Sequence, residues 1–209
     1  MLSITVKIEV IYLSINKKVR AVEKVFEALN KHIEIFQKES NLSCVSSCGK
    51  CCSKADIEAS VLEFLPLAYH LYKERRAFEV LEKLESHDSG YCFVLQPFLG
   101  QDDKGFCGNY KYRGLICRLF GFSARKDKYG NKNLVTCKSI KVDQAEQFEA
   151  ATAKIESGTL EVPMMGNYSM MLNAIDFQLA SKYYPINTAI KMAIENVLSY
   201  YSYRSKYTG

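Results

Sequence analysis

Four cysteines within nine residues constrain this chain more than any other feature. The run Cys44-Val-Ser-Ser-Cys48-Gly-Lys-Cys51-Cys52 lies in a stretch, residues 40–53, without hydrophobic periodicity. Ser40, Asn41, Ser43, Ser46, Ser47 and Gly49 mark it as a loop. A buried cysteine is a small hydrophobe, but these thiols stand among Ser, Gly and Lys. Thiolates two or three residues apart converge on one metal when the backbone turns tightly between them. Gly49 allows such a turn, and Lys50 offsets thiolate charge and lowers thiol pKa values. Zinc takes four such ligands at about 2.3 Å, and iron–sulfur clusters use similar runs. The fold therefore has to present this loop as a site.

That reading needs reduced thiols. Lys7 and Glu9 interrupt the apolar N-terminal stretch and no small-residue cleavage site follows, so no signal peptide is expected. No uncharged apolar run approaches the roughly 20 residues of a membrane span. The expected compartment is cytoplasmic, where a cysteine cluster reads as metal-binding or catalytic. If the protein were exported, the cysteines would pair as disulfides, in an order the sequence does not choose. Eight cysteines in 209 residues fall below the density of a small disulfide scaffold. With 48% hydrophobic and 24% charged residues the chain is globular rather than disordered. A net charge of +5 is too weak to argue for nucleic acid without a clustered basic face. Arg125, Lys126, Lys128 and Lys132 read as a solvated hairpin tip. The expected partner is thus a protein or small molecule, with no membrane and no nucleic acid.

Periodicity places helices on both sides of the loop. Val19, Val22, Val25, Phe26, Leu29, Ile33 and Phe36 recur at helical gaps over residues 17–38. Ile4 to Leu13 reads as a short strand or as that helix's first turns. Residues 55–85 are helical by period, with a break expected at Pro66. Residues 86–110, with Gly90, Pro97, Gly100, Gly105 and Gly108, read as a long irregular connection. Residues 111–121 predict a short helix, and residues 122–137 a hairpin turning at Lys128–Lys132. Three helices close the chain: one from Val142 stopping at Gly158, one over Tyr168–Leu179 capped by Asn167, and one opening after Pro185. Met164, Met165, Met170 and Met171 fall at roughly helical spacing and read as core. The fold class is mainly α: a helical domain with a cysteine-rich loop region and a small β-hairpin, organised around a metal site. One domain, 1–209, is expected, with its cysteine region at about 42–140 and its helical part at about 141–205.

Cys92, Cys107 and Cys117 form a second group, with Cys137 behind it. Their long gaps mean that separate parts of the fold supply them. Taken singly each could be a buried thiol, and Cys137 could point into the core from its hairpin strand. With the first cluster in the same chain, all eight become candidate ligands: Cys44, Cys48, Cys51, Cys52, Cys92, Cys107, Cys117 and Cys137. Eight thiols make two four-ligand sites, or one cluster plus spare thiols. His87, five residues before Cys92, is a further candidate, whereas His32 and His70 read as packing or surface residues on helices.

Cys-x3-Cys-Gly-x-Cys-Cys, then Cys92-Phe-Val-Leu, Cys107-Gly-Asn-Tyr110, and Arg113 with Cys117-Arg118-Leu-Phe120, resembles the YkgJ-type cysteine-cluster (CxxCxxCC) family of zinc- or iron-chelating domains. The likeness covers about residues 42–140. It departs from the family pattern in the three residues between Cys44 and Cys48 and in Gly114, where the family has Pro. The resemblance implies that Cys44, Cys48, Cys51, Cys52, Cys92, Cys107 and Cys117 chelate, and that Arg113 and Arg118 are the family's arginines. A guanidinium beside an all-thiolate site would compensate its charge and donate to sulfur, where an ordinary surface arginine would pair with a carboxylate.

The implied cofactor is a 4Fe-4S iron–sulfur cluster or zinc, with iron–sulfur preferred for the long-range convergence of ligands. Cys44-x3-Cys48-x2-Cys51 is also the spacing of radical S-adenosylmethionine enzymes, but the strand–helix alternation of their barrel is missing. Flagellin lysine methylases resemble this cysteine region and imply an S-adenosylmethionine-using, iron–sulfur-dependent enzyme, although no Gly-x-Gly-x-x-Gly is present. A zinc-stabilised, non-enzymatic binding module is the third reading. No Ser/His/Asp set, P-loop or carboxylate pair stands out.

Overall fold

A 26-residue helix, α1 (Ile15–Ser40), carries the chain to the cysteine loop. The Ser14 side chain caps it by accepting from the Lys17 N–H. Val19, Val22, Val25, Phe26, Leu29, Ile33 and Phe36 form its buried face, as the periodicity predicts. Asn41 ends it in the left-handed region, at φ 56°. The computed structural model describes residues 13–44, 48–87, 89–98 and 101–205. The expectation for Ile4 to Leu13 therefore lies almost wholly outside the described residues.

The predicted 55–85 helix is corrected in two respects. Its beginning is instead a strand, β1 (Glu58–Ser60), and a 3-10 turn, Leu62–Phe64. Pro66 does not break a helix but opens one, α2 (Leu65–Lys73), where its missing N–H costs nothing. The break falls at Arg75, at φ 60°, before α3 (Ala77–Glu85).

Residues 86–110 are also more regular than their sequence suggests. β2 (Leu95–Phe98) and β3 (Gln101–Cys107) pair antiparallel, Leu95 opposite Cys107. Pro97 and Gly105 face one another across this ladder, and the register shifts between Pro97 and Phe98. Neither strand has the β-branched alternation that marks a hairpin in sequence. The short helix α4 (Leu115–Leu119) and the hairpin β4 (Ser123–Lys126) with β5 (Lys132–Val135) match expectation.

The closing helices are subdivided. The first is α5 (Lys138–Asp143) and α6 (Ala145–Glu156), interrupted at Gln144. The second is α7 (Met165–Ile175) and α8 (Phe177–Ala180), because the Asp176 carboxylate caps a new helix through the Leu179 N–H. Asn167 lies inside α7's first turn rather than capping it. Met170 and Met171 are exposed, so that methionine pair is not core. β6 (Tyr183–Pro185) pairs with β1, and α9 (Ile186–Ser205) follows directly, as Pro185 predicts.

The helices form the frame. Ala189, Ile190, Ala193, Ile194 and Val197 of α9 are buried in one cluster with Leu29 and Phe36 of α1 and Leu65 and Leu71 of α2. The molecule is mainly helical with three small two-stranded sheets among the described residues. No helix among the described residues is long and apolar enough to cross a membrane.

Candidate metal centre

The thiols are delivered by several separate devices. Cys44 follows α1's cap, and the Gln144 side-chain amide brackets the residue before it. Gln144 Oε1 accepts from the Ser43 N–H at 2.9 Å, and Gln144 Nε2 donates to the Ser43 carbonyl at 2.7 Å. Cys48, Cys51 and Cys52 lie on a tight turn in which the Cys52 and Ser53 N–H groups both donate to the Gly49 carbonyl. Gly49 has φ +64°, and a Cβ there would stand 2.7 Å from Gly105 N and 2.9 Å from Gly105 O. The turn thus lies flat against β3, two residues before Cys107.

Cys92 donates its N–H to the Cys52 carbonyl at 3.0 Å, which joins the two cysteine segments directly. Asn187 of α9 fixes both neighbours of Cys92: its Oδ1 accepts from the Phe93 N–H and its Nδ2 donates to the Tyr91 carbonyl. Cys117 lies in α4, whose N-terminal end is satisfied by a buried carboxylate. Glu63 accepts from the Ile116 N–H at 2.9 Å and from the Ser60 N–H and hydroxyl at 2.6 and 3.0 Å.

The two arginines part company. Arg118 is structural: it donates to the carbonyls of Arg113 and Lys111 and to Asn30 of α1, and stacks 4.6 Å over the Phe26 ring. Its burial lowers its pKa to about 10, which leaves it cationic at neutral pH. Arg113 stacks 3.6 Å over the Tyr110 ring. Its charge favours the thiolate at Cys44, Cys51, Cys107 and Cys117. Its Nε is buried and, among the described residues, has no hydrogen-bond partner.

The thiols feel one another. Cys51 and Cys52 have their sulfurs 3.9 Å apart. The Cys52 S–H donating to Cys51 lowers the Cys51 pKa to about 6, and the same bond, with burial, drives Cys52 upward. Burial, then the neighbouring thiols, raises Cys117, and burial raises Cys92 to about 11. Burial raises Cys107 as well. Cys44 is raised by burial, then by Cys48, Cys51 and Cys137. Without a cation, most of this set is held protonated by desolvation and mutual repulsion. A bound metal ion reverses that balance and deprotonates its thiol ligands outright.

All eight cysteines lie among the described residues and none forms a disulfide. Cys51, Cys52, Cys92, Cys107 and Cys117 interact as one set. Cys137 does not disappear into the core. Its sulfur caps α5 by accepting from the Ile140 N–H at 3.4 Å, and it lines a small cavity with Cys44 and Cys48. His87 is engaged with Ser89 and the Tyr91 carbonyl, His32 with the Tyr168 hydroxyl, and His70 stacks on Tyr112. Among the described residues no three His, Cys, Asp or Glu side chains stand close enough, as placed, to close on one ion. The donor set nevertheless fits a soft metal: thiols from separate segments of the chain, four of which feel the Arg113 charge.

Three positioning residues escape a reading of the sequence. Glu63 carries a signal, a lone charge inside the apolar run Val61-Leu-Glu-Phe-Leu65. Gln144 and Asn187 carry none, because an amide that brackets a distant backbone looks like any surface amide.

The family model described as "CxxCxxCC: Putative zinc- or iron-chelating domain" matches residues 43–138. The match contains all eight cysteines, bears out the resemblance read from their spacing, and supports metal binding. Comparison with curated proteins returned no match, and comparison with solved structures returned none either.

Proposed function

We propose that this protein holds an iron–sulfur cluster on Cys92, Cys107, Cys117 and one of the adjacent pair Cys51 and Cys52, with Arg113 compensating its charge. The observation that carries this reading is Arg113, whose charge favours the thiolate at Cys51, Cys107 and Cys117 and whose buried Nε has no hydrogen-bond partner among the described residues. Structural zinc ligands usually come in pairs separated by two to four residues. Cys92, Cys107 and Cys117 each come singly from distant segments, which favours a cluster. A bound cluster would supply electron transfer or activation of a cofactor. The chain's own part is to orient the thiols, offset their charge and exclude water.

Zinc is the second reading, and one distance favours it. Two thiolates on a tetrahedral ion with bonds of about 2.3 Å lie roughly 3.8 Å apart, close to the 3.9 Å between Cys51 and Cys52. In that case the centre is structural and the protein is a binding module. Purification without oxygen, an absorption spectrum, and iron, zinc and sulfide per chain decide between them. Absorption near 400 nm with about four irons and four sulfides per chain is expected. Colourless protein with zinc alone would overturn the cluster in favour of zinc, and protein without metal would overturn both.

A further inference from the structure

We infer that Cys44, Cys48 and Cys137 form a second centre, which takes one thiophilic divalent ion independently of the cluster thiols. This rests on the metal-binding reading above and divides its ligands. The three thiols line one cavity of about 20 Å³, together with Asp143 and Gln144. A water needs roughly 10–15 Å³ on that measure, so the space suits one ion or water and nothing larger. Cys52, Cys92, Cys107 and Cys117 do not line it.

The walls of this cavity are tied together by side-chain hydrogen bonds. Gln144 interrupts the helix between α5 and α6 and commits both ends of its amide to Ser43, next to Cys44. That bracket joins segments 101 residues apart and holds Cys44 to the element that carries Cys137. Lys50, just after the Cys48–Gly49 pair, reaches Ser139 at 3.4 Å. The Ile140 N–H donates to the Cys137 sulfur, an interaction that orients a ligand sulfur. Three thiolates with the Asp143 carboxylate on the same cavity make a four-donor set for zinc or a similar ion. An ion entering there would draw inward sulfurs that now stand apart, because metal sites are rarely preformed without their metal.

Cys137→Ser and Cys117→Ser variants of the full chain, loaded with zinc or cobalt(II) and analysed for metal and sulfide, test the division. Cys137→Ser is expected to lose one divalent ion per chain and keep its sulfide and cluster absorption. Cys117→Ser is expected to lose the cluster and keep the cobalt–thiolate absorption of the second centre. Cys44→Ser, at an exposed position, repeats the first result without disturbing the cap of α5. Gln144→Met should weaken cobalt binding about tenfold with unchanged cobalt–thiolate band positions. Full metal content in both Cys137→Ser and Cys44→Ser would overturn the division, as would loss of all metal in both Cys137→Ser and Cys117→Ser. Either result leaves metal binding itself standing. A wild-type chain that takes up no metal would overturn the metal-binding reading as well.

Discussion

Gly49→Ala puts the closest backbone approach at the site to the test. Gly49 has φ +64°, a conformation that costs an L-residue roughly 1–2 kcal/mol. Reduced freedom of the unfolded chain offsets about 0.4–1 kcal/mol of that. Gly158, at φ +75°, has open space where a methyl would stand, with nothing within 4 Å, so Gly158→Ala carries the conformational cost alone. At Gly49 the new methyl would meet Gly105 N, O and C at 2.7, 2.9 and 3.1 Å. These are backbone atoms, and Gly105 is held in the β2–β3 ladder opposite Pro97, so it does not yield as the end of a flexible side chain would. Overpacking of this kind costs about 1–3 kcal/mol.

The sum is about 3 kcal/mol for Gly49→Ala against about 1 kcal/mol for Gly158→Ala. For a chain of this size 1 kcal/mol moves the melting temperature by roughly 2–4 °C. Thermal unfolding of the metal-loaded variants should therefore put Gly49→Ala about 4–8 °C below Gly158→Ala. Loading the metal matters, because a turn that merely peels away from β3 would then also lower the transition by weakening the site. Equal melting temperatures for the two variants would refute the claim that the cysteine turn is seated on β3.

Three further outcomes follow from the thiols and from the buried carboxylate. In the metal-free chain Cys51 is exposed with its pKa lowered to about 6, whereas Cys92 is buried and raised to about 11. Iodoacetamide at pH 7 followed by peptide mass analysis should find Cys51 labelled first, slowing as the pH falls through 6, and Cys92 spared; equal labelling would contradict the assigned environments. Glu63→Ala strands the Ser60 and Ile116 N–H donors and should cost about 2–4 kcal/mol in urea unfolding. Burial raises the Glu63 pKa above its ordinary 4.5, so its protonated form favours the fold, fully below pH 4.5 and less as pH rises through the folded-state value. The deficit of Glu63→Gln relative to wild type should accordingly shrink between pH 4 and pH 7, and a deficit that grows would reverse the sign of that argument.

What is legible in the sequence divides along physical lines. The amphipathic face of α1, the short α4, the hairpin at 123–135 and the opening of α9 after Pro185 all rest on local patterns, and all four stand. Pro66 is ambiguous in sequence because proline both breaks helix interiors and suits first turns; only the chain before it, folded as a strand against β6, decides which. The β2–β3 hairpin is silent in the sequence because its pairing is stabilised from outside, by the cysteine turn seated on Gly105 and by Asn187 at its entrance. The cysteines are visible as candidates from their spacing alone. Their grouping is not, since it depends on which backbone Gln144, Asn187 and Glu63 reach, and those reaches span roughly 50 to 100 residues of chain.

The way those three side chains act separates the helical frame from the cysteine region in energetic terms. Each bridge is a few hydrogen bonds, worth about 0.5–1.5 kcal/mol net apiece. Each is anchored at its far end in helical backbone: α9 for Asn187, the α5–α6 junction for Gln144, the 3-10 turn before α2 for Glu63. The frame buries Leu29, Phe36, Leu65, Ile190 and Ile194 in a cluster that also takes in Cys92, with Cys52, Cys117 and Cys137 packed against it, and burial of apolar side chains of this kind is worth about 1.5–3 kcal/mol each. Its stability therefore rests mainly on apolar burial. The loops do not have that reserve, and their desolvated thiols repel one another whenever they ionise. A metal ion turns that repulsion into attraction and closes loops whose ends the frame has already brought near, so little closure entropy is left for it to overcome. On the proposed reading the frame would let residues as far apart in the chain as Cys44 and Cys137 chelate at small entropic cost, and the metal would in turn order the cysteine loops.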